Sequence, residues 1–201
     1  MPMRPKDLVP PKVVYLVSTN IHKYLEAREA LASLGLSLAF LRDEVPELQS
    51  TDLARIAAWG ARWAAEKWDL PVLVEDTGLF IEALNGFPGP YASYVLKTIG
   101  LRGVLRLLEG AEDRRACFRT ALAFCDGRGA EPVVFTGEAC GTIAHEPRGT
   151  GGFGYDPIFV PEGGGGRTFA EMSTPEKNAY SHRAKAFGAF GEWYKKRLGA
   201  R

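Results

Sequence analysis

The chain has 201 residues, of which 46% are hydrophobic and 24% charged, as expected for a globular domain with a substantial core. Its formal net charge of +1 argues against a nucleic-acid polymer as partner, and the absence of an apolar run of about 18 residues argues against a membrane span. Cys117, Cys125 and Cys140 are odd in number and widely spaced, so we expect buried free thiols, no zinc site and a cytoplasmic location.

Residues 1–12 contain four prolines, basic residues and no apolar stretch, which predicts a flexible tail and not a secretory signal. Residues 13–201 show neither an internal repeat nor a linker, so we expect them to form a single α/β domain.

The first predicted elements are a strand over residues 13–17, a polar Ser-Thr-Asn loop at 18–20 and a helix that ends at Gly35. Unpaired N–H groups at such a helix start favour anions, and Lys23 adds a positive charge suited to phosphate. Ordinary capping of the helix is the alternative, and the loop by itself favours it.

A second strand is predicted over residues 36–41, and a helix capped by the Ser-Thr-Asp sequence at 50–52 is predicted to run through Trp68. Apolar residues recur at helical spacing, so the tryptophans of this helix are interpreted as packing residues. Glu47 lies in the charged loop between these elements, where it is either a metal ligand or an ordinary surface acid.

Two adjacent carboxylates, Glu75 and Asp76, follow the apolar residues 72–74, which predict a buried strand. Residues 77–78, Thr-Gly, predict the turn that ends it. Ligands of open α/β sheets bind beyond the carboxyl ends of strands, although such a pair is more often a loop start or a helix cap. Because side chains alternate along a strand, we expect one carboxylate to do chemistry and the other to support it.

The middle of the chain predicts two helices, over residues 91–98 and 102–108, and two long strands, over 114–125 and 132–144. The Asp-Gly-Arg-Gly sequence at 126–129 joins the two strands as a hairpin. An antiparallel hairpin beside a parallel strand pair predicts a mixed sheet.

Aromatic residues lie among glycines at 148–157. A flat ring flanked by residues without side chains suits stacking on a base. The alternative is an aromatic side chain packed within a glycine-rich loop. A short strand is predicted over residues 158–160 and a helix with a capping box from 173–176. His182 and Arg183, two adjacent donors, begin the last helix.

Four motifs occur in this order: Ser-Thr-Asn-x-x-Lys at 18–23, Glu-Asp-Thr-Gly-Leu at 75–79, Gly-Phe-Gly-Tyr-Asp-Pro at 152–157 and Ser-His-Arg at 181–183, with further matches at 87–91, 171–172 and 176–178. Together they resemble the inosine triphosphate pyrophosphatase family over about residues 13–195. The resemblance implies a long mixed β-sheet with flanking helices and two lobes around a central nucleotide-binding cleft. It also implies a homodimer and Mg2+-dependent conversion of ITP, dITP or XTP to the monophosphate and pyrophosphate.

The resemblance further implies roles for individual residues. Glu47 and Asp76 are implied to hold Mg2+, and Asp76 is also the implied base for the attacking water. The residues implied to bind the triphosphate are Ser18, Thr19, Asn20, Ile21, His22 and Lys23. The residues implied to bind the rest of the nucleotide, with Phe153 stacking on the base, are Thr77, Phe153, Gly154, Tyr155, Asp156, Lys177, His182 and Arg183.

The chain departs from the family pattern at one place. Many members carry a lysine that reaches phosphate in the helix after the Glu47 region, but here that place falls near Trp59 and Gly60. Arg55 and Arg62 are the candidates to substitute for it.

These residue types suit hydrolysis of a nucleoside triphosphate. Lys23 and Lys177 can stabilise charge on a pyrophosphate leaving group, and His182 and Arg183 are donors suited to the 6-keto oxygen of hypoxanthine or xanthine. A pyrophosphatase for other modified nucleotides and a non-catalytic nucleotide-binding module are the alternatives. A P-loop phosphohydrolase is disfavoured because the G-x-x-x-x-G-K sequence is absent.

Overall fold

One mixed β-sheet runs through residues 13–199, the part of the chain that the computed structural model describes; the expected tail at residues 1–12 lies outside it. The strands are β1 (Val13–Val17), β2 (Ser37–Leu41), β3 (Val72–Ile81), β4 (Pro88–Gly89), β5 (Arg115–Cys125), β6 (Val133–Ile143) and β7 (Phe159–Pro161). Their order is β2-β1-β3-β5-β6-β7, and β4 pairs with β3. β1 is parallel to β2 and β3 while the other pairs are antiparallel, so the predicted mixed sheet is confirmed.

Six α-helices accompany the sheet within residues 13–199: α1 (Ile21–Ala32), α2 (Leu53–Trp68), α3 (Ala92–Thr98), α4 (Gly100–Leu107), α5 (Thr174–Asn178) and α6 (His182–Gly199). The predicted caps are confirmed at Asp52 for α2 and at Ser173, in a capping box, for α5. In this part of the chain, no helix has the length and apolar character needed to cross a bilayer.

Alternate residues of β3 belong to different parts of the core. Val72 and Val74 join the hydrophobic cluster formed with α2, whereas Leu73 joins the cluster formed with α1 and α6. Because side chains alternate along a strand, helices cover both faces of the sheet here. Leu79 and Ile81, at the other end of β3, belong to a third cluster with residues of α3 and α4.

The prediction that Thr-Gly at 77–78 ends the third strand is wrong. β3 continues to Ile81 because it pairs with β5 over all ten residues, from Val72 opposite Cys125 to Ile81 opposite Ala116. Glu75 and Asp76 therefore lie within the strand. The glycine serves another purpose, since a Cβ at Gly78 would lie 2.7 Å from the Gly89 carbonyl oxygen of β4.

The expectation of three free thiols is also wrong, because Cys117 and Cys140 form a disulfide. The two residues are 23 positions apart in sequence but lie directly opposite each other in the β5–β6 pair, with Cα atoms 4.0 Å apart. Cys125 alone stays a free thiol, and it is buried. Spacing along the chain could not reveal a pairing that strand register creates.

The close approach of β4 to Gly78 predicts that Gly78→Ala is destabilising by about 1–3 kcal/mol, because the added methyl group would have to displace β4. Gly188→Ala is a matched control in the interior of α6, where an added Cβ meets no neighbouring group within 4 Å. We expect this control to gain about 0.5–1 kcal/mol from improved helix propensity. Urea unfolding followed by circular dichroism measures both, and wild-type stability in Gly78→Ala would contradict the close approach.

Candidate active site

The candidate site lies where β1 ends beside the middle of β3. β1 pairs with β3 only through Tyr15 opposite Val72 and Leu16 opposite Leu73. After Val17 the chain leaves the sheet, so the loop at residues 18–20 and the start of α1 lie beside the acidic part of β3. The expectation that ligands bind beyond the carboxyl end of a strand therefore applies to β1.

The start of α1 is capped by its own loop. The Asn20 side chain accepts hydrogen bonds from the backbone N–H groups of His22, at 3.0 Å, and Lys23, at 3.4 Å. The Ser18 hydroxyl accepts a bond from the N–H of Asn20 at 3.1 Å. The capping interpretation is thus confirmed, and Thr19, Ile21 and His22 remain exposed beside it.

A chain of buried ion pairs extends inward from Lys23. The ammonium of Lys23 lies 3.1 Å from Glu75, whose carboxylate also accepts hydrogen bonds from Nε and Nη2 of Arg183 at 2.8 to 3.2 Å. Arg183 donates through Nη1 to Glu26 at 2.7 Å. Glu26 in turn binds the Lys177 ammonium at 2.6 Å.

The chain of ion pairs ends at Asp156, which accepts a hydrogen bond from Lys177 at 2.6 Å. Its members are three cations and three carboxylates: Lys23, Lys177, Arg183, Glu26, Glu75 and Asp156. We call these six residues the buried ion-pair chain. Lys177 and Arg183 are only 3% and 2% exposed, so their charges depend on these partners.

The two adjacent acids of β3 have opposite electrostatic environments. Burial would raise the pKa of Glu75, but the charges of Arg183 and Lys23 and their hydrogen bonds lower it to about 2. The pKa of Asp76 is raised to about 7, chiefly by burial and also by the charges of Glu47 and Glu75, against the attraction of Lys23. Glu75 is therefore an anion whose carboxylate oxygens are already paired with cations, whereas Asp76 can gain or lose a proton near neutral pH.

Asp76 also has unused binding capacity. Its Oδ2 atom is buried and has no hydrogen-bond partner among residues 13–199. Glu47 is exposed on the loop between β2 and α2, yet near enough for its charge to raise the pKa of Asp76. Two carboxylates with free oxygens are the donors that a hard divalent cation prefers, so these residues fit such an ion.

The Phe153 ring is presented by a glycine turn at the other end of the ion-pair chain. Gly152 and Gly154 both have a φ of +66°, a backbone region that favours glycine. The N–H of Phe153 donates to the Asp156 carboxylate at 2.9 Å, and a Cβ at Gly152 would collide with that same carboxylate. The ring is stacked on His22, with centroids 5.3 Å apart.

His182 is buried at the start of α6 and stacks on Phe118 with ring centroids 4.6 Å apart. Burial, followed by the nearby charges of Arg183 and Lys177, lowers its pKa well below the usual value, so the imidazole is neutral. Within the described chain its Nδ1 atom has no hydrogen-bond partner. A neutral imidazole keeps one N–H donor and one acceptor.

Two other implied site residues have structural contacts. Tyr155 is buried and donates its hydroxyl hydrogen bond to the Ala92 carbonyl at 2.8 Å, which joins the glycine turn to α3. The Thr77 hydroxyl lies 2.7 Å from that of Thr120 on β5.

Comparison with known proteins shows the family of this chain. A sequence model of the Ham1 family matches residues 14–193. The chain is 54% identical to a dITP/XTP pyrophosphatase of Methanopyrus kandleri, covering 94% of this chain and 99% of that protein. It is 49% identical to a dITP/XTP pyrophosphatase of Thermococcus kodakarensis, covering 90% of this chain and 97% of that protein. The chain belongs to the Ham1 family.

Solved structures of Ham1 proteins share the fold. The structure from Coxiella burnetii has a TM-score of 0.78 and 35% identity, covering 92% of this chain and 98% of that one. The structure from Staphylococcus aureus has a TM-score of 0.77 and 28% identity, covering 92% of this chain and 100% of that one. The long mixed sheet with flanking helices is thus the Ham1 architecture.

Gly60, near which the resemblance implies a lysine, is closely packed. A Cβ at Gly60 would lie 2.9 Å from a methyl group of Val45 and 3.0 Å from one of Val74, so α2 packs too closely there for any side chain. Arg62 pairs with Glu131 at 2.6 Å on the β5–β6 hairpin side. Arg55 is exposed on α2.

Sequence reasoning missed Glu26. This residue is 5% exposed on α1 and binds both Lys177 and Arg183, which lie 151 and 157 positions away in sequence. A single acid in a helix with several charged residues gives no local signal of burial. Its position three residues after Lys23, on the same side of the helix, was the one available indication.

The raised pKa of Asp76 predicts a pH-dependent effect of Asp76→Asn on stability. The folded state keeps Asp76 protonated up to about pH 7, whereas the unfolded chain ionises it above its usual pKa of 3.8, so the fold loses stability as pH rises from about 3.8 to about 7. In metal-free buffer at pH 8, we expect Asp76→Asn to raise Tm, because it removes the cost of burying an ionised carboxylate. Each kcal/mol of that cost corresponds to about 2–4 °C in Tm. The difference should shrink as the pH falls and should vanish below about pH 3.8, where Asp76 is protonated in the unfolded chain as well.

Asp113→Asn is the matched control for this thermal unfolding experiment. Asp113 is largely exposed, and hydrogen bonds from Arg115 lower its pKa to about 2. Its replacement is expected to give no rise in Tm at pH 8. An equal Tm for Asp76→Asn and wild type at pH 8 would show that Asp76 ionises without penalty.

Proposed function

We propose that this protein hydrolyses ITP, dITP and XTP to the nucleoside monophosphate and pyrophosphate, and so removes deaminated purines from the nucleotide pool. The observation that carries the proposal is Asp76, a partly buried side chain with a buried, unused carboxylate oxygen, beside the start of α1 and Lys23. The relatives named dITP/XTP pyrophosphatases support the substrate class.

Glu47 and Asp76 are proposed to hold Mg2+, which when bound would neutralise phosphate charge and orient the triphosphate. The unused buried oxygen of Asp76 and the nearby charge of Glu47 support this assignment. Asp76 also accepts the proton of the attacking water, for which its carboxylate must be ionised. Lys23, 23% exposed and held by Glu75, stabilises the negative charge that develops on the leaving pyrophosphate.

The nucleotide is proposed to lie between the two ends of the buried ion-pair chain. The triphosphate contacts residues 18–21 and Lys23, and Phe153 and Gly154 receive the base, while Thr77 lines the space between them. Lys177 and Asp156 act through the ring and backbone of Phe153, as their contacts with it support, and Tyr155 holds the same turn to α3.

Selection of the base is proposed to rest on donors that face its 6-position. The buried ion-pair chain uses one N–H on each of the three guanidinium nitrogens of Arg183, which leaves two of its five N–H groups. These groups and the His182 imidazole suit a keto oxygen. The 6-amino group of adenine would face donors, and each mismatch is worth about 1–3 kcal/mol.

A cytoplasmic homodimer is part of the proposal. The side chains of Phe87, Tyr91 and Tyr94 are 42%, 42% and 68% exposed around β4 and α3, and this aromatic patch supports self-association. The cytoplasmic location rests on the proposed substrates alone, because the Cys117–Cys140 disulfide removes the free-thiol argument for it.

The decisive experiment supplies ITP, dITP, XTP, ATP and GTP with and without Mg2+ and measures pyrophosphate and phosphate separately. We expect Mg2+-dependent pyrophosphate from the first three, with kcat/KM for ATP at least about 100-fold lower because of the donor mismatch. Release of single phosphates would refute the proposed bond cleavage. Binding without turnover would indicate a nucleotide-binding module. If none of the five is hydrolysed but other modified nucleoside triphosphates, added as a second panel, are, the protein is a different pyrophosphatase.

Asp76→Asn is expected to lower kcat for ITP by about 100- to 10,000-fold, because the amide cannot accept the proton from water. Circular dichroism should show an unchanged fold. Asp113→Asn serves as the control and is expected to keep wild-type activity. If Asp76→Asn turns over ITP at the wild-type rate, the proton acceptor is another residue.

A further inference from the structure

We propose that His22 holds the place of the purine on Phe153 in the free protein and is displaced when a nucleotide binds. The imidazole and phenyl rings are stacked at an interplanar angle of 17°, with centroids 5.3 Å apart. This inference rests on the proposed function, which brings a base to Phe153. It gives His22 a role at the base instead of the triphosphate contact that the family resemblance implies.

The face of Phe153 that His22 covers is the one a base can reach. The Lys177 ammonium and the Arg183 guanidinium lie over the Phe153 ring at 4.9 and 5.4 Å from its centroid. Both cations are buried, whereas His22 is exposed. We infer that the cations occupy the inner face and His22 the outer, so a purine and the imidazole compete for the same surface.

Phe153 is fixed, whereas His22 can leave. The backbone of Phe153 is held by Asp156 at 2.9 Å within a turn that needs glycine on both sides. The His22 side chain makes no hydrogen bond within the described residues, and only its backbone N–H is tied to the Asn20 cap. Rotation of one exposed side chain therefore opens the ring without disturbing α1.

The exchange favours a ligand with a large flat base. An aromatic pair such as His22 and Phe153 is weaker than the stack of a purine on an aromatic side chain. A purine can therefore replace the imidazole with a net gain. A phosphate compound that lacks a base has no means of displacing it, so His22 weakens purine binding and leaves base-free phosphates unaffected.

Isothermal titration of inosine 5′-monophosphate into His22→Ala tests the competition. Removal of the competing ring is expected to lower Kd by about two- to tenfold, which corresponds to the energy of one aromatic pair. Inorganic triphosphate is expected to bind His22→Ala and wild type equally. His145→Ala, at an exposed position just after β6, is the matched control and should match wild type for both ligands.

Two further measurements separate displacement from other roles of His22. In a Phe153→Leu background, His22→Ala is expected to leave the Kd for inosine 5′-monophosphate unchanged, because the stacked partner is gone. With ITP as substrate, KM should fall in His22→Ala while kcat stays at the wild-type value. An unchanged or higher Kd for inosine 5′-monophosphate in His22→Ala would overturn the proposal, as would an effect of equal size on inorganic triphosphate.

Nuclear magnetic resonance of the histidine ring protons gives a readout that needs no turnover. In the free protein the His22 signals, assigned by their loss in His22→Ala, should be shifted upfield by the Phe153 ring and should move downfield with inosine 5′-monophosphate. Absence of the upfield shift overturns the role of His22 by itself. Failure of the wild type to hydrolyse ITP overturns the proposed function, so the two failures are distinguishable.

Discussion

The pairing of Arg183 with Glu75 and Glu26 is the interaction on which the rest of the site depends. Its guanidinium joins α6 to β3 and to α1, and Glu26 extends the contact to Lys177 on α5. Charges so deeply buried persist only when each has a partner, and removing one partner from such a pair is destabilising by about 3–5 kcal/mol. The buried ion-pair chain thus fixes the relative positions of elements distant in sequence.

The same ion pairs explain why two neighbouring acids differ in chemistry. Glu75 points to the face where Arg183 and Lys23 saturate it, and their charges keep its pKa low. Asp76 points to the other face, where burial and nearby carboxylates raise its pKa and one oxygen has no donor among residues 13–199. Because side chains alternate along β3, Glu75 takes part in structural ion pairs, whereas Asp76 keeps an unpaired oxygen on the other face.

The proposed base-binding end of the site depends on the same ion pairs. Asp156 belongs to the buried ion-pair chain and also holds the backbone of Phe153, so the ring position is set by Lys177 and, through Glu26, by Arg183. The phosphate end begins at Lys23, which the same chain holds through Glu75. One set of three cations and three carboxylates thereby fixes the distance between Lys23 and Phe153, the two ends of the proposed nucleotide site.

By itself, the sequence determined what depends on near neighbours along the chain. The Asn20 and Asp52 caps, the Ser173 capping box and the hairpin turn at 126–129 were all predictable because the groups that bond lie within a few residues of each other. The different facing of Glu75 and Asp76 followed from strand geometry. The four family motifs placed the chain among its relatives because each keeps its residue types and spacing.

Only the tertiary structure decided what depends on register and on distant charges. The Cys117–Cys140 disulfide, the continuation of β3 past Gly78 and the burial of Glu26 were not predictable, because each depends on groups brought together by folding. Thr-Gly after an apolar run has the composition of a turn, but ten residues of pairing with β5 keep it extended. Local preferences amount to a few tenths of a kcal/mol, and a complete strand ladder or a buried ion pair outweighs them.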